Sequence, residues 1–393
     1  MRVSLSTAQV EIGQRFAELV DDELIPSIRR MGELPRHGSA AEAAAEAVGA
    51  ADARSAVWRA LVDLGATRLL LPARFGGEDA GQQGAVVLAE LLGTALYQGP
   101  LLDTMIAAEL LAHSGDAEAK RIAEIAEGAA VPLAVRQSAR DDHARPGPFE
   151  VSADGETIDA TRRFVGFVPD GSYLLVVGGT MSGPRAALVP REHPSVSYRL
   201  HDEVGRGGLY ALRLTGTPVL SWPDDPAGSS AAWPRVVAHA RIRHAAYLIG
   251  LCQGALDLAV ARSGSRHQFG EPICKFQAPA FRLAEIATQI EAARWLVRAA
   301  AWDADSGQDA RLPAAQALAL AADLAGATVL AAVQVHGAYG LTEDSDIQLY
   351  FRRAHIDRVW MGAPRNLRQE VLPLLAEALR ARHRRPSPGG AQT

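Results

Sequence analysis

Two cysteines in 393 residues, Cys252 and Cys274, are too few for a disulfide framework and lack metal-type spacing. Both fall in or beside helical patterning, which predicts reduced, buried thiols. Strong charge of one sign is absent too: the formal net charge is −5, so no basic field exists to draw in nucleic acid, and no base-reading motif is present. The segment Met1–Ile12 has no basic stretch followed by an apolar run, so no signal peptide is expected. The one long apolar stretch, Ala314 to Val333, is broken by Gln316, Asp323 and Gly326. It reads as a helix buried among helices, not as a membrane span, and a cytoplasmic location with no membrane partner follows as the expectation. The eleven histidines are scattered, and no Walker loop, Gly-x-Ser-x-Gly or His-Glu-x-x-His is found, so no metal site is expected. Gly205-Arg206-Gly207-Gly208 precedes a strand-like run instead of a helix, and therefore lacks the helix N-terminus that would hold a phosphate.

What is present is organised in three textures. Residues 1–128 carry helical periodicity, with an apolar stripe through Trp58, Leu61, Val62 and Leu64, then the punctuation Pro72-x-x-Phe75-Gly76-Gly77, then a second stripe from Val86 to Leu92. Residues 129–226 form short β-rich runs separated by turn signals, Asp154-Gly155 and Asp170-Gly171 being the strongest, with Tyr173–Val177 the clearest buried strand. This predicts a small antiparallel barrel or sandwich. Pro223 to Gly228 reads as a linker. Residues 227–385 are helical again. Leu283, Ile286, Ile290, Ala293, Val297 and Ala300 recur every three or four residues, as do Leu318, Ala322, Ala325, Val329 and Ala332. So much alanine lets helix axes approach closely, which suits a four-helix bundle. Residues 386–393 read as a disordered tail.

Four short motifs lie along the last third. Arg266-His267-Gln268-Phe269-Gly270-Glu271-Pro272-Ile273 runs on to Phe276-Gln277. Gln334-Val335-His336-Gly337-Ala338-Tyr339-Gly340 follows. Then come Tyr350-Phe351-Arg352-Arg353-Ala354 and Val359-Trp360-Met361-Gly362-Ala363. In this order and spacing they resemble the acyl-CoA dehydrogenase family, and the resemblance covers nearly the whole chain. It implies an α+β fold of N-terminal helical domain, middle antiparallel β-domain and C-terminal four-helix bundle. It also implies an FAD-dependent oxidoreductase that makes an α,β-double bond in an acyl-CoA thioester.

The same resemblance exposes a gap. Family members remove the α-proton with a Glu in an aromatic-Glu-Gly-Thr motif, and that position here is Met361, whose thioether cannot act as a base. Some members place the Glu before an Arg on the first helix of the C-terminal bundle. That Arg corresponds to Arg241, and the preceding residue is Ala240. Losing a general base commonly costs ~10²–10⁴ in rate. Asp357, four residues before Met361, is the weak substitute candidate, weighed against a surface ion pair with Arg353 or Arg358. Glu343 is the other nearby acid.

In the family each FAD sits at a subunit interface. One subunit holds the isoalloxazine with a Tyr-x-x-Thr-Glu stretch, a Trp-x-Thr strand and the Glu-Gly-Thr loop. Its neighbour reaches across with Arg-x-x-Phe-Gly and Gln-x-x-Gly-Gly to the pyrophosphate and adenine, a task for which a forked, permanently charged Arg is suited. Arg266, Gln268, Phe269, Gln334 and Gly337 match the reaching motifs, with Ala338 in place of a Gly. The holding motifs are lost: Leu133 to Ser138 replaces the first, Phe164-Val165-Gly166 the second, and Ala363 the final Thr. The expectation is a subunit of a heterotetramer that shares FAD with a second family member owning the Glu, as in actinobacterial steroid side-chain degradation. The alternatives are a homo-oligomeric flavoenzyme with other chemistry in secondary metabolism, and a scaffold without redox function.

Overall fold

The computed structural model describes residues 5–26, 40–138, 140–181, 183–202, 204–205, 207–223 and 232–384; the side chains of 40–51 and 381–384 are left aside. Most of the expected linker and the expected tail over 386–393 lie outside the described residues, as does Arg206.

The first helix, α1 (Thr7–Leu19), starts at a capping box in which the Ser6 hydroxyl accepts the Gln9 N–H and the Gln9 side chain accepts the Ser6 N–H. It is followed by α2 (Ala40–Asp63), α3 (Gly81–Thr94), α4 (Leu101–His113) and α5 (Ala119–Ala126). The Phe75-Gly76-Gly77 punctuation ends a 3-10 turn. Gly77 is a glycine for want of space, since a Cβ there would stand 1.9 Å from the Leu71 carbonyl oxygen. The start of α3 is capped from far away in sequence: the Asp305 carboxylate accepts the N–H groups of Gln82 and Gln83 at 2.7 and 2.9 Å.

The middle region holds two sheets. One is antiparallel, ordered β2 (Glu150–Val151), β3 (Thr157–Gly166), β7 (Leu209–Pro218), β6 (Val196–Leu200). The other is ordered β1 (Leu133–Ala134), β4 (Tyr173–Thr180), β5 (Gly183–Pro190), and in it β1 lies parallel to β4, a departure from the all-antiparallel expectation. The Asp154-Gly155 turn joins β2 to β3 as expected. Asp170-Gly171 instead ends a 3-10 turn that carries the chain from one sheet to the other. Arg162, on the buried side of β3, stitches the sheets together by donating to the carbonyls of Gly147, Pro148, Thr161 and Val177.

The last region contains α6 (Ala232–Ser265), a hairpin of β8 (His267–Gln268) and β9 (Glu271–Pro272), then α7 (Gln277–Asp305), α8 (Arg311–His336), α9 (Ile347–Asp357) and α10 (Pro364–Arg384). Both periodic apolar faces named above are buried. Where α3 crosses α6 the backbones nearly touch. A Cβ on Gly93 would meet the Tyr247 carbonyl oxygen at 1.9 Å, and one on Gly250 the Glu90 carbonyl oxygen at 1.8 Å. Two helices, Ala232–Ser265 and Arg311–Leu341, are long and apolar enough to cross a membrane, but 72% and 56% of their most apolar windows are buried by the rest of the chain. They are core helices. A single apolar core joins the N-terminal helices, one sheet and the bundle, and a smaller one fills the space between the sheets. Cys252 is buried and its thiol is pushed up to about 12, whereas Cys274 is exposed, because it falls on the turn after β9 and not on a helix.

Candidate functional site

The residues singled out by sequence separate into two places. Arg266, Gln268 and Phe269 lie on the β8–β9 hairpin, and all three are exposed. The turn needs left-handed backbone at Phe269 (φ +54) and Gly270 (φ +85), which throws the Phe269 ring outward, 93% exposed. Arg266 has no ion pair among the described residues. Gln334 sits exposed at the end of α8, followed by Gly337 (φ +65) and Ala338 in a 3-10 turn. The Arg262 guanidinium lies 5.2 Å over the Tyr339 ring, tying the end of α6 to that turn. The hairpin and the Gln334–Ala338 turn are thereby brought to one end of the bundle.

The second place is formed by the segments 133–138, 164–166 and 360–363. A register shift in β3 between Arg162 and Val165 leaves Phe164 with left-handed backbone (φ +58). Its ring stacks on His201 at 5.6 Å and carries the Arg136 guanidinium at 5.3 Å. Arg136 is held in register because its carbonyl accepts the Arg163 N–H at 2.6 Å. At the end of β3, a Cβ on Gly166 would be in ordinary contact, 3.6 Å, with the Trp360 ring. Met361 follows in the turn before α10, 3% exposed and part of the apolar core. Its carbonyl accepts the Arg241 Nε–H at 3.3 Å, and Arg241 pairs with Glu370 at 2.8 Å. Ala240, one residue before Arg241, is also buried.

These three segments fit an isoalloxazine ring poorly. Such a ring needs a slot between the strand and the loop, with a hydroxyl at the strand end. Here the indole of Trp360 stands over the strand end, with room for no more than a methyl group between it and Gly166, no hydroxyl stands at Gly166, and Phe164 is stacked between His201 and Arg136. The hairpin end, in contrast, presents the fork of Arg266 and the amides of Gln268 and Gln334 to solvent, a donor set suited to a pyrophosphate.

Asp357 is the last residue of α9, and its ion pair is with Arg353, not Arg358, which faces Asp323 at 3.7 Å. The pair is buried, contrary to the expected surface pair. The carboxylate accepts Arg353 Nη2–H at 2.6 Å, Arg353 Nε–H at 3.2 Å and the Tyr247 hydroxyl at 3.2 Å. Three donors leave it little capacity to act as a base. Glu343 lies in the loop after the 3-10 turn, 4.0 Å from Arg352.

Sequence reading missed a third acid. Asp103 on α4 is 6% exposed and lines a cavity of about 50 Å³ where the three regions meet. Tyr97, Phe167, Tyr247, Trp360, Arg353 and Asp357 also line it. The Asp103 carboxylate accepts the Leu133 N–H at 3.0 Å, and the Trp360 side chain is close enough to hydrogen-bond to it. Among the described residues no cation offsets the burial, which pushes its carboxyl up to about 7. The signal that was available is a charged residue inside the apolar run Leu101-Leu102-Asp103-Thr104-Met105-Ile106.

The family described as "Acyl-CoA dehydrogenase, C-terminal domain" matches residues 230–371. The acyl-CoA dehydrogenase IpdE2 of Mycolicibacterium smegmatis is 30% identical over 79% of this chain and 84% of its own length. Among solved structures, the Tcur3481–Tcur3483 steroid acyl-CoA dehydrogenase variant superposes with a TM-score of 0.82 at 24% identity, covering 96% of this chain and 100% of that one. The ChsE4–ChsE5 complex of Mycobacterium tuberculosis superposes with a TM-score of 0.81 at 24% identity, covering 96% and 99%. Those likenesses establish the shared fold, and with the identity to IpdE2 over most of both chains, this chain belongs to the acyl-CoA dehydrogenase family.

Proposed function

We propose that this chain is the subunit of a heterotetrameric acyl-CoA dehydrogenase that lends FAD contacts to a second family member and does not remove the proton itself. Arg266, Gln268, Phe269, Gln334, Gly337 and Ala338 reach the pyrophosphate and adenine of an FAD held by the partner. The partner would supply the Glu and the acyl-CoA pocket, and the shared FAD would supply the hydride-accepting chemistry. The observation that carries this reading is the contrast within one chain: reaching groups exposed at the surface, and Trp360 standing over Gly166 where the strand hydroxyl is missing. Two structural neighbours support it: ChsE4–ChsE5 is a two-component complex, and Tcur3481–Tcur3483 is a steroid acyl-CoA dehydrogenase. By that analogy the substrate is a bulky CoA ester, and the location is cytoplasmic. The units 1–128, 129–226 and 227–385 serve as domains in this reading.

The test is to purify the chain alone and with a Glu-bearing family partner, and to measure FAD per chain and acyl-CoA oxidation. Little FAD alone and one FAD per pair of unlike chains is the expected result. One observation favours the second reading, a homo-oligomer with chemistry of its own: the cavity lined by Asp103. Stoichiometric FAD and dye reduction by the chain alone would favour that reading instead.

A further inference from the structure

The cavity at the meeting of the three regions is lined largely by apolar groups, Leu102, Leu209 and Ile356 among them, yet it also holds a carboxyl group. Its walls include four aromatic rings, those of Tyr97, Phe167, Tyr247 and Trp360, and the carboxyl group of Asp103. Aromatic faces attract cations through the ring quadrupole, and a buried carboxylate needs a positive partner. Among the described residues none is provided. The one guanidinium in the wall, Arg353, is committed to Asp357 through two nitrogens. His244, also in the wall, is held neutral by burial and lies 2.6 Å through Nε2 from the Asp357 carbonyl oxygen. Burial pushes the hydroxyls of Tyr97 and Tyr247 up, so both stay neutral. Arg353 and Asp357 cancel, and among the described lining residues the remaining charge is that of Asp103.

We infer that this cavity is a binding site for a small organic cation, a primary or secondary ammonium, paired with the Asp103 carboxylate inside the ring of Tyr97, Phe167, Tyr247 and Trp360. At about 50 Å³ it takes a few water molecules or one compact ammonium group, and it excludes anything as large as an acyl-CoA. The ammonium donates to the Asp103 oxygen that the Leu133 N–H does not use, since that N–H is bound by Oδ2. Binding requires the ionised carboxylate. The carboxyl of the ligand-free protein stands at about 7, so the cation binds more tightly at pH 8 than at pH 5, where each binding event must expel a proton. The inference concerns the chain's own cavity and stands apart from any flavin at the hairpin.

The test uses the full chain without added FAD. Thermal unfolding and calorimetric titration are run with ethylammonium chloride and pyrrolidinium chloride, against sodium chloride at equal ionic strength, at pH 5 and pH 8. A ligand that binds only the folded form raises the melting temperature with concentration. The expected result is a rise with both ammonium salts, larger at pH 8 and absent with sodium. Asp103→Asn keeps the acceptor for Leu133 and removes a buried charge, so it should fold, and it should weaken ammonium binding about tenfold or more. Trp360→Leu should weaken it about threefold through loss of one aromatic wall. Equal melting temperatures in ammonium and sodium salts would mean that the cavity holds only water, and the inference falls. An ammonium-induced rise that persists unchanged in Asp103→Asn overturns it as well. Neither outcome bears on FAD stoichiometry, which tests the subunit assignment separately.

Discussion

The hairpin end and the closed slot are built from the same chain and obey opposite rules. At the hairpin, polar groups and a large aromatic ring are held out in solvent by left-handed backbone at Phe269, whose ring meets only the edge of Phe276, so folding alone gains little from them. At the slot, the groups pack against their own chain: Trp360 stands over Gly166, half-buried Phe164 stacks on His201, and buried Asp357 pairs with Arg353. A surface that costs nothing to disrupt and an interior that costs much are therefore to be separated by mutation. Changes at the slot should be read in stability, and changes at the hairpin in cofactor retention.

The largest effect is expected at the buried ion pair. Arg353→Ala leaves Asp357 charged and uncompensated in the interior, which typically costs about 3–5 kcal/mol. Chemical denaturation measures this, and a loss under 1 kcal/mol would show that water reaches the pair. Next is Asp103→Asn. In the folded chain this carboxyl holds its proton up to about pH 7, against 3.8 for an ordinary Asp. Between those values the unfolded chain has lost a proton that the folded chain keeps, so the stability of the parent protein falls as pH rises through that window and levels off above it. At pH 8 the variant should be the more stable, by at most about 4 kcal/mol, and near pH 3.5 the two should agree. Denaturation curves that differ by the same amount at both pH values would contradict a buried, cation-free Asp103.

Smaller in energy, but read differently, is Arg266→Ala. It should leave the melting temperature of the chain unchanged and reduce FAD retention by the co-purified complex roughly tenfold or more. Arg266→Lys should recover only part of this, since an ammonium cannot fork. A lowered melting temperature with normal FAD would place Arg266 in this chain's own structure. The smallest effect is expected from Met361→Glu, which restores an acid beside a slot that Trp360 closes. Turnover of an acyl-CoA by the chain should stay at background, and a large gain from this single change would mean that the slot opens.

The contrast between the two regions also explains what could be read from sequence. The helical faces from Leu283 to Ala300 and from Leu318 to Ala332 were legible because burial repeats at the helix period. The hairpin was legible because its motif is contiguous. The slot was only half legible: the missing Thr, Trp and Glu showed that something was lost, but the placing of Trp360 over Gly166 joins positions nearly 200 residues apart, and no local pattern announces it. Asp357 was read as a surface group because its spacing to Arg353 fits an exposed helix pair equally well, and burial comes from α6, which supplies Tyr247. Asp103 was passed over because it carries no motif. The parallel β1 escaped notice because two residues have no period.

The most direct test of the account is the FAD content of the chain purified alone compared with that of the chain co-purified with a Glu-bearing family partner. Less than about a tenth of an FAD per chain alone, rising to one FAD per unlike pair in the complex, is the result the account predicts, a partition of the size that one charge-assisted pyrophosphate contact and a missing ring slot would set. One tightly bound FAD per chain in the isolated protein would contradict it.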